Sequence, residues 1–455
     1  MQYTRSFLRS YILITVLLLF FDVGHAQDLF LLSSFHSEKI DQVLSRNISV
    51  ADVDNDGLQD IILSGFDDLN RDGLFLDIYS VTGPATIDTF QMDVFDPEFD
   101  ENIGFAKYIG GNGGMDLSDF DRDGWIDILL HGSKNLFLSK NLDGNSFSSN
   151  NYLFNASLIN TDLRWGDVDM DGDLDIILVG VYMPGNQEYI LNVLLLNNDG
   201  TFDGDPNMVM PSLHNGGASW GDIDLDGDPD LIISGQSADP LSGVTRLYKN
   251  DPVGRLAEDT NQELLGLKGT AICFADLDQD SDPDLILSGW SPMDNGLHTI
   301  IYVNEPTGTF RPVEQHQQID FGTVYGTIEA LDLDLDGWVD IAISGVTEHA
   351  MIPDSTYDLV NPDTTELGDT LSVDTLWQVT FYDTVMALGA KIFINDGHLS
   401  FTESQSFPGA RTLAFCDIDQ DSGPDLVLSG TSEIGNRDST FCQIYLNTTT
   451  EFNTR

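Results

Sequence analysis

The sequence predicts an all-β fold class, a seven-bladed β-propeller of four-stranded blades, and three observations predict it. A nine-residue acidic motif leading into an apolar strand and a glycine occurs seven times. Each copy sits in the same succession of short apolar runs and turns. No segment carries a convincing helical period. Internal repetition on this scale signals an array or a ring, and it outranks any local reading.

The copies are DVDNDGLQDIILSG from Asp52, DFDRDGWIDILLHG from Asp119, DVDMDGDLDIILVG from Asp167 and DIDLDGDPDLIISG from Asp222. DLDQDSDPDLILSG from Asp276, DLDLDGWVDIAISG from Asp332 and DIDQDSGPDLVLSG from Asp417 complete the set. They begin 67, 48, 55, 54, 56 and 85 residues apart. A short apolar lead-in precedes each loop, as in GGASWGD ending at Asp222 and TAICFAD ending at Asp276. The runs after the loops, such as LIIS and IILV, lack alternation, so both faces of that strand are expected to be buried. A hairpin follows, seen in LLLNNDGTF at 194–202, RLYKNDPVGRL at 246–256, IIYVNEPTGTF at 300–310 and KIFINDGHLSF at 391–401. Asn-Asp-Gly between apolar runs is a strong hairpin signal. Four short strands per copy, stacked face to face around an axis, form a propeller.

The chain ends suggest how the ring closes. The last copy ends in FCQIYLNTTTEF, before a full outer strand, while DLFLLSSF at 28–35 stands just before the first copy. The N-terminal strand is expected to complete the last blade and so remove an open sheet edge.

The acidic loops have the pattern of a hard-cation site. Oxygens at positions 1, 3, 5 and 9, with a backbone carbonyl at 7, wrap one ion, and glycine at 6 permits the sharp turn. Calcium takes about six to eight oxygens and suits this set better than magnesium, which demands stricter geometry and fewer carboxylates. Along the chain no lysine or arginine neutralises the loop at 222–230, so carboxylates this close would repel without a cation. A solvated acidic turn could explain one copy but not seven in register. Ser281 and Ser422 replace the glycine, so weaker binding is expected at 276–284 and 417–425. Pro229, Pro283 and Pro424 at position 8 stiffen the entry into the next strand.

Composition agrees. The chain has 455 residues, 75 acidic and 19 basic side chains and a net charge of −56. That excludes a nucleic-acid partner, which needs basic patches, and disfavours anionic membranes. Residues 1–26 read as a signal peptide: Arg5 and Arg9, an apolar run of 11 residues from Tyr11 to Phe21, then Gly24-His25-Ala26. The run is too short for a typical membrane span, although an uncleaved anchor is the competing reading. A secreted or extracellular location follows, with the periplasm or cell surface as variants. Cys273, Cys416 and Cys442 form no disulfide framework and read as small buried hydrophobes.

The repeat D-x-D-x-D-G-x-x-D followed by an apolar strand and glycine resembles the FG-GAP/VCBS repeats of integrin-α-type propellers and many secreted bacterial proteins. The resemblance spans residues 27–455. It implies calcium between the first two strands of each blade. By position the ligands are Asp52, Asp54, Asp56 and Asp60; Asp119, Asp121, Asp123 and Asp127; Asp167, Asp169, Asp171 and Asp175. The remaining sets are Asp222, Asp224, Asp226 and Asp230; Asp276, Asp278, Asp280 and Asp284; Asp332, Asp334, Asp336 and Asp340; Asp417, Asp419, Asp421 and Asp425. Seven divalent ions would bring the net charge from −56 only to −42.

The resemblance also implies that ligands bind on the face opposite these loops. The long spacing reflects an insertion in blade six, about 346–388, that adds Trp377, Phe381 and Tyr382 there. Ligand contact, a decorative hairpin and a flexible loop all remain open for it. Trp290 belongs to that face; Trp165 and Trp220 read as packing between blades rather than sugar platforms; Trp125 and Trp338 occupy loop position 7. The function expected is a binding or adhesion module for glycan or protein ligands, with no enzymatic activity. A polysaccharide lyase is the enzymatic alternative and a purely structural matrix protein the other. His36, His131, His214, His298, His316, His349 and His398 form no recognisable catalytic spacing, although His36, His214, His316 and His349 could share the ligand face.

Overall fold

The computed structural model describes residues 29–33, 45–67, 73–83, 86–92, 114–131, 135–148, 151–155, 158–182, 189–205, 208, 210–237, 242–305, 308–314, 317–347, 387–431 and 440–449. Residues 1–26, expected to be a signal peptide, nearly all of the expected blade-six insertion, and His36, His316 and His349 lie outside them.

Seven four-stranded antiparallel sheets form the blades, each read from the innermost strand outward. Blade one is Ser45–Ala51, Asp60–Asp67, Gly73–Gly83 and Thr86–Met92; blade two is Met115–Ser118, Asp127–His131, Asn135–Ser139 and Asn151–Asn155. Blade three is Leu158–Gly166, Asp175–Tyr182, Tyr189–Asn198 and Thr201–Gly204; blade four is His214–Gly221, Asp230–Gln236, Gly243–Lys249 and Ala257–Glu258. Blade five is Lys268–Ala275, Asp284–Ser291, Gly296–Glu305 and Thr309–Pro312; blade six is Ile328–Leu331, Asp340–Val346, Leu388–Asn395 and Phe401–Pro408. Blade seven is Ala410–Cys416, Asp425–Thr431, Thr440–Asn447 and, from the other end of the chain, Phe30–Leu32. Each blade lies against the next, and blade seven against blade one, so the ring closes.

The second strands are buried on both faces, as their unbroken apolar runs require: Ile61, Ile62, Leu63, Leu231, Ile232, Ile233, Leu285, Ile286 and Leu287 are inaccessible to solvent. Their side chains feed apolar clusters shared by neighbouring blades; one joins Ile177 and Val179 of blade three to Leu231 and Ile233 of blade four. Trp165 stacks on Phe120 of blade two, with ring centroids 5.9 Å apart, and the Trp220 ring covers Gly166 of blade three. Both tryptophans therefore pack between blades. None of the three cysteines is in a disulfide, and Cys416 and Cys442 sit buried in the cluster joining blades seven and one.

The closing strand pairs Phe30 with Asn447, Leu31 with Leu446 and Leu32 with Tyr445. Gln405 in the outer strand of blade six clamps it from the side: its Oε1 accepts the Phe30 N–H at 3.0 Å and its Nε2 donates to the Phe30 carbonyl at 2.9 Å.

Antiparallel order puts the first-to-second and third-to-fourth turns of every blade on one face and the remaining connections on the other. The first face carries all the acidic loops. Around the axis, inner strands enclose a cavity of about 220 Å³, lined among others by Asp116, Asp162, Arg164 and Glu329. Two of its carboxylates join adjacent blades. Asp116 accepts the Trp165 N–H at 2.8 Å, and Asp162 accepts the Ala218 N–H at 2.9 Å while facing Arg164 at 3.1 Å.

Candidate metal centres

Each acidic loop is a wound turn held by its own carboxylates. In blade one the N–H groups of Asp56 and Gly57 donate to the two oxygens of Asp52, and the Leu58 N–H donates to Asp56. The same pattern holds in blade six, with Asp336 and Gly337 donating to Asp332 and Trp338 donating to Asp336. The turn forces positive φ at positions 4 and 6, from Asn55 at 57° and Gly57 at 91° to Gln420 at 61° and Ser422 at 73°. Ser281, at 78°, and Ser422 still donate their N–H groups to Asp276 and Asp417, as the glycines do to their counterparts. The serines preserve the loop at the expense of backbone strain, on the order of 1–2 kcal/mol for a side-chain-bearing residue. Ser281→Gly and Ser422→Gly are each expected to raise stability by about 0.5–1 kcal/mol, read in denaturant melts.

Position 9 is the buried anchor. Asp60 accepts the Val53 N–H on one oxygen and the Val81 N–H on the other, both at 2.9 Å. Asp127, Asp175, Asp230, Asp284, Asp340 and Asp425 repeat this, taking one N–H from loop position 2 and one from the end of the third strand.

Sets of loop carboxylates converge so that one oxygen from each lies within 4.8 Å of the others: Asp52, Asp54 and Asp60; Asp119, Asp121 and Asp127; Asp167, Asp169 and Asp175; Asp222, Asp224 and Asp226; Asp276, Asp278 and Asp284; and two more groups. The position-5 carboxylates stand outside most of these sets, and Asp230 stands outside the set in blade four. Several converging oxygens are buried with no hydrogen-bond donor: Asp167 Oδ1, Asp222 Oδ1, Asp224 Oδ1, Asp278 Oδ1 and Asp419 Oδ1. Buried acceptors are ordinarily satisfied, so clustered orphan oxygens fit a cation.

Burial pushes the carboxyls of Asp60 and Asp230 up to about 6 and those of Asp127, Asp175, Asp284, Asp340 and Asp425 up to about 7, against the backbone N–H groups that favour the ionised form. An unfolded aspartate ionises near pH 3.9, so between about pH 4 and 7 the cation-free folded chain holds protons that the unfolded chain has lost. Its stability therefore falls as pH rises through that window. Chelator-treated protein is expected to melt at higher temperature at pH 5 than at pH 8, and saturating calcium should flatten the difference; a cation-free profile that rises with pH would contradict this.

Two kinds of residue at the site were not evident in the sequence. Lys140 lies against Asp121 and Asp123, and Lys249 is 3.0 Å from Asp224, each reaching its loop from the end of a third strand. The second kind is a buried asparagine one position further on. Asn304 donates its backbone N–H to Asp284 and its Nδ2 to the Ile223 carbonyl of blade four at 2.7 Å. Asn141, Asn250, Asn395 and Asn447 make the same pair of contacts, each reaching loop position 2 of the preceding blade. The repeated Asn in the hairpin sequences was a usable signal, but it reads as turn chemistry until the ring is closed. Blade one has Val81 at this position, packed in the same apolar cluster as Ile418. Asn304→Ala should cost about 1–3 kcal/mol by leaving the Ile223 carbonyl unsatisfied, read as a lower denaturant midpoint.

Trp125 and Trp338 at position 7 cover the hairpin glycines Gly144 and Gly397. On the opposite face the Lys268 ammonium sits 4.8 Å from the centre of the Trp290 ring. The described histidines are spread over blades two, four, five and six; His298 pairs with Asp294 at 2.8 Å, and burial lowers the basicity of His214.

A ring of four-stranded blades whose first turns are acidic pockets able to hold metal ions is the class of protein that this geometry defines. The FG-GAP-like repeat family matches residues 119–178 and 222–287, and with the repeat present in every blade the chain is an FG-GAP repeat propeller. No curated protein matches it. Among solved structures it is similar to an Agrocybe aegerita lectin that recognises non-reducing terminal N-acetylglucosamine, at 17% identity over 80% of each chain with a TM-score of 0.47. It is also similar to Aleuria aurantia lectin in complex with α-methyl-L-fucoside, at 11% identity over 81% of this chain and 97% of that one, TM-score 0.38. The V. cholerae biofilm matrix protein Bap1 is similar at 14% identity over 92% of this chain and 70% of that one, TM-score 0.32. At such identities the likeness concerns the fold alone. No helix among the described residues is long and apolar enough to cross a membrane.

Proposed function

We propose that the chain is an exported binding or adhesion module, without enzymatic activity, whose blades are stabilised by calcium and whose ligand, a glycan or a protein, docks on the face opposite the acidic loops. One contrast supports this role. The acidic pockets repeat in every blade, as scaffold elements do, whereas the opposite face differs between blades, with His214 and Gln236 in blade four and Trp290, Lys268 and the exposed Met293 in blade five. Binding residues belong on such variable connections, held by a rigid frame. Calcium is the cation that fits oxygen-only pockets of this density, and extracellular modules bind it at roughly 10⁻⁴–10⁻³ M, which suits an exported chain.

A glycan and protein array probed with and without calcium tests the role. The expected result is calcium-dependent binding that Trp290→Ala weakens. Unsaturated product released from an anionic polysaccharide would replace the binding role with a lyase. No binding to any array member would favour a matrix component.

A further inference from the structure

The loops of blades five and seven form a natural pair. DLDQDSDPD at 276–284 and DIDQDSGPD at 417–425 differ only at position 2, Leu against Ile, and at position 7, Asp282 against Gly423. Their backbones match: Asp280 and Ser281 donate to Asp276 as Asp421 and Ser422 donate to Asp417, and Asp282 and Gly423 donate to position 5. Both loops have a position-3 oxygen without a donor, Asp278 Oδ1 and Asp419 Oδ1. The only difference in charge between the two loop sequences is the side chain at position 7.

That side chain is buried in an unusual way. Asp282 is 4% exposed, its Oδ1 has no hydrogen-bond donor, and its carboxyl lies beside that of Asp280, the two flanking the converging set of Asp276, Asp278 and Asp284. Two adjacent carboxylates with no donor between them are held together by a shared proton or a shared cation. Other blades use position 7 differently. Asp173 is paired with Arg122 of the preceding blade at 2.9 Å and accepts the Asp199 N–H, while Trp125 and Trp338 cover turn glycines. Asp228 in blade four resembles Asp282, at 3% exposed with Oδ2 lacking a donor, but there Lys249 sits on Asp224 and offsets the added charge.

We propose that Asp282 acts as a fifth carboxylate for the cation of blade five, making 276–284 the tightest of the seven sites despite its serine at position 6, while its near-copy at 417–425 is among the weakest. The assignment rests on the calcium role proposed above. It adds a side chain to a position where the loop otherwise offers only its backbone carbonyl, and ligand charge count is a main determinant of affinity in such loops.

The test is a calcium titration of the chelator-treated full chain against a chromophoric competitor, with circular dichroism to confirm folding. The unmodified chain is expected to show one site at least tenfold tighter than the others. Asp282→Asn should abolish it, and Gly423→Asp should create a second. Asp173→Asn, which removes a charge already paired with Arg122, should change no constant by more than about twofold. The gain expected from Gly423→Asp keeps the test decisive if Asp282→Asn fails to fold. Calcium binding that neither the Asp282 nor the Gly423 variant alters would overturn this assignment alone. A complete lack of calcium binding by the unmodified chain would overturn the cation role and this assignment with it.

Discussion

Stripping divalent cations from the folded chain is expected to lower its Tm by about 3–10 °C, with the transition restored by calcium. The size follows from mass action. A site with a dissociation constant of about 10⁻⁴–10⁻³ M contributes roughly 0.4–1.4 kcal/mol at 1 mM calcium, so seven sites contribute about 3–10 kcal/mol. Unfolding entropy grows with chain length, and for a ring of this size each kcal/mol shifts Tm by about 1 °C. The physical source is local. Asp278 Oδ1 and Asp419 Oδ1 are buried acceptors without donors, set among the other carboxylates of their loops. Without an ion the loops that aim each second strand into its sheet repel themselves. Thermal melts in excess chelator and in excess calcium provide the measurement, and superimposable curves would rule out a structural cation.

Opening the ring should have a comparable effect. Phe30 is 1% exposed and sits 5.8 Å from Phe415, in a cluster with Leu413, Leu426 and Leu428. Phe30→Ala is expected to cost about 3–5 kcal/mol, whereas Leu31→Ala next to it, on a side chain 51% exposed, should cost under about 0.5 kcal/mol. Deleting residues 27–36 removes the whole strand. It frees the edge of Thr440–Asn447 and strips both hydrogen bonds from Gln405. An unpaired edge on a chain rich in apolar strands invites association, so the deletion variant should lose its cooperative melt and aggregate. Equal denaturant midpoints for the Phe30 and Leu31 variants would show that the strand contributes pairing but no closure.

Much of this architecture was legible in the sequence because it is local and repeated. A Gly or Ser at position 6 adopts positive φ wherever it occurs, from Gly57 to Ser422, since nine residues must turn and re-enter a sheet. The buried second strands follow from runs without alternation, and the closing strand follows from a last repeat that ends one strand short. Phe30–Leu32 indeed lies beside Thr440–Asn447. The position of Trp165 and Trp220 was readable for the same reason, as a register repeated from blade to blade.

The asparagine clamps and the lysine contacts were hidden for the opposite reason. Asn304 meets Ile223 across 81 residues of chain and Asn395 meets Leu277 across 118, so nothing in the spacing of one repeat names the partner. Lys140 and Lys249 look like ordinary exposed residues at the ends of their strands until the hairpin folds back over the loop. The sequence by itself determined the number of blades, the acidic loops and the strand that seals the ring, because each is written within one repeat or its missing part. Only the tertiary structure decided which blade grips which, and which carboxylates have a partner. Those contacts arise when separate repeats are brought side by side around a common axis.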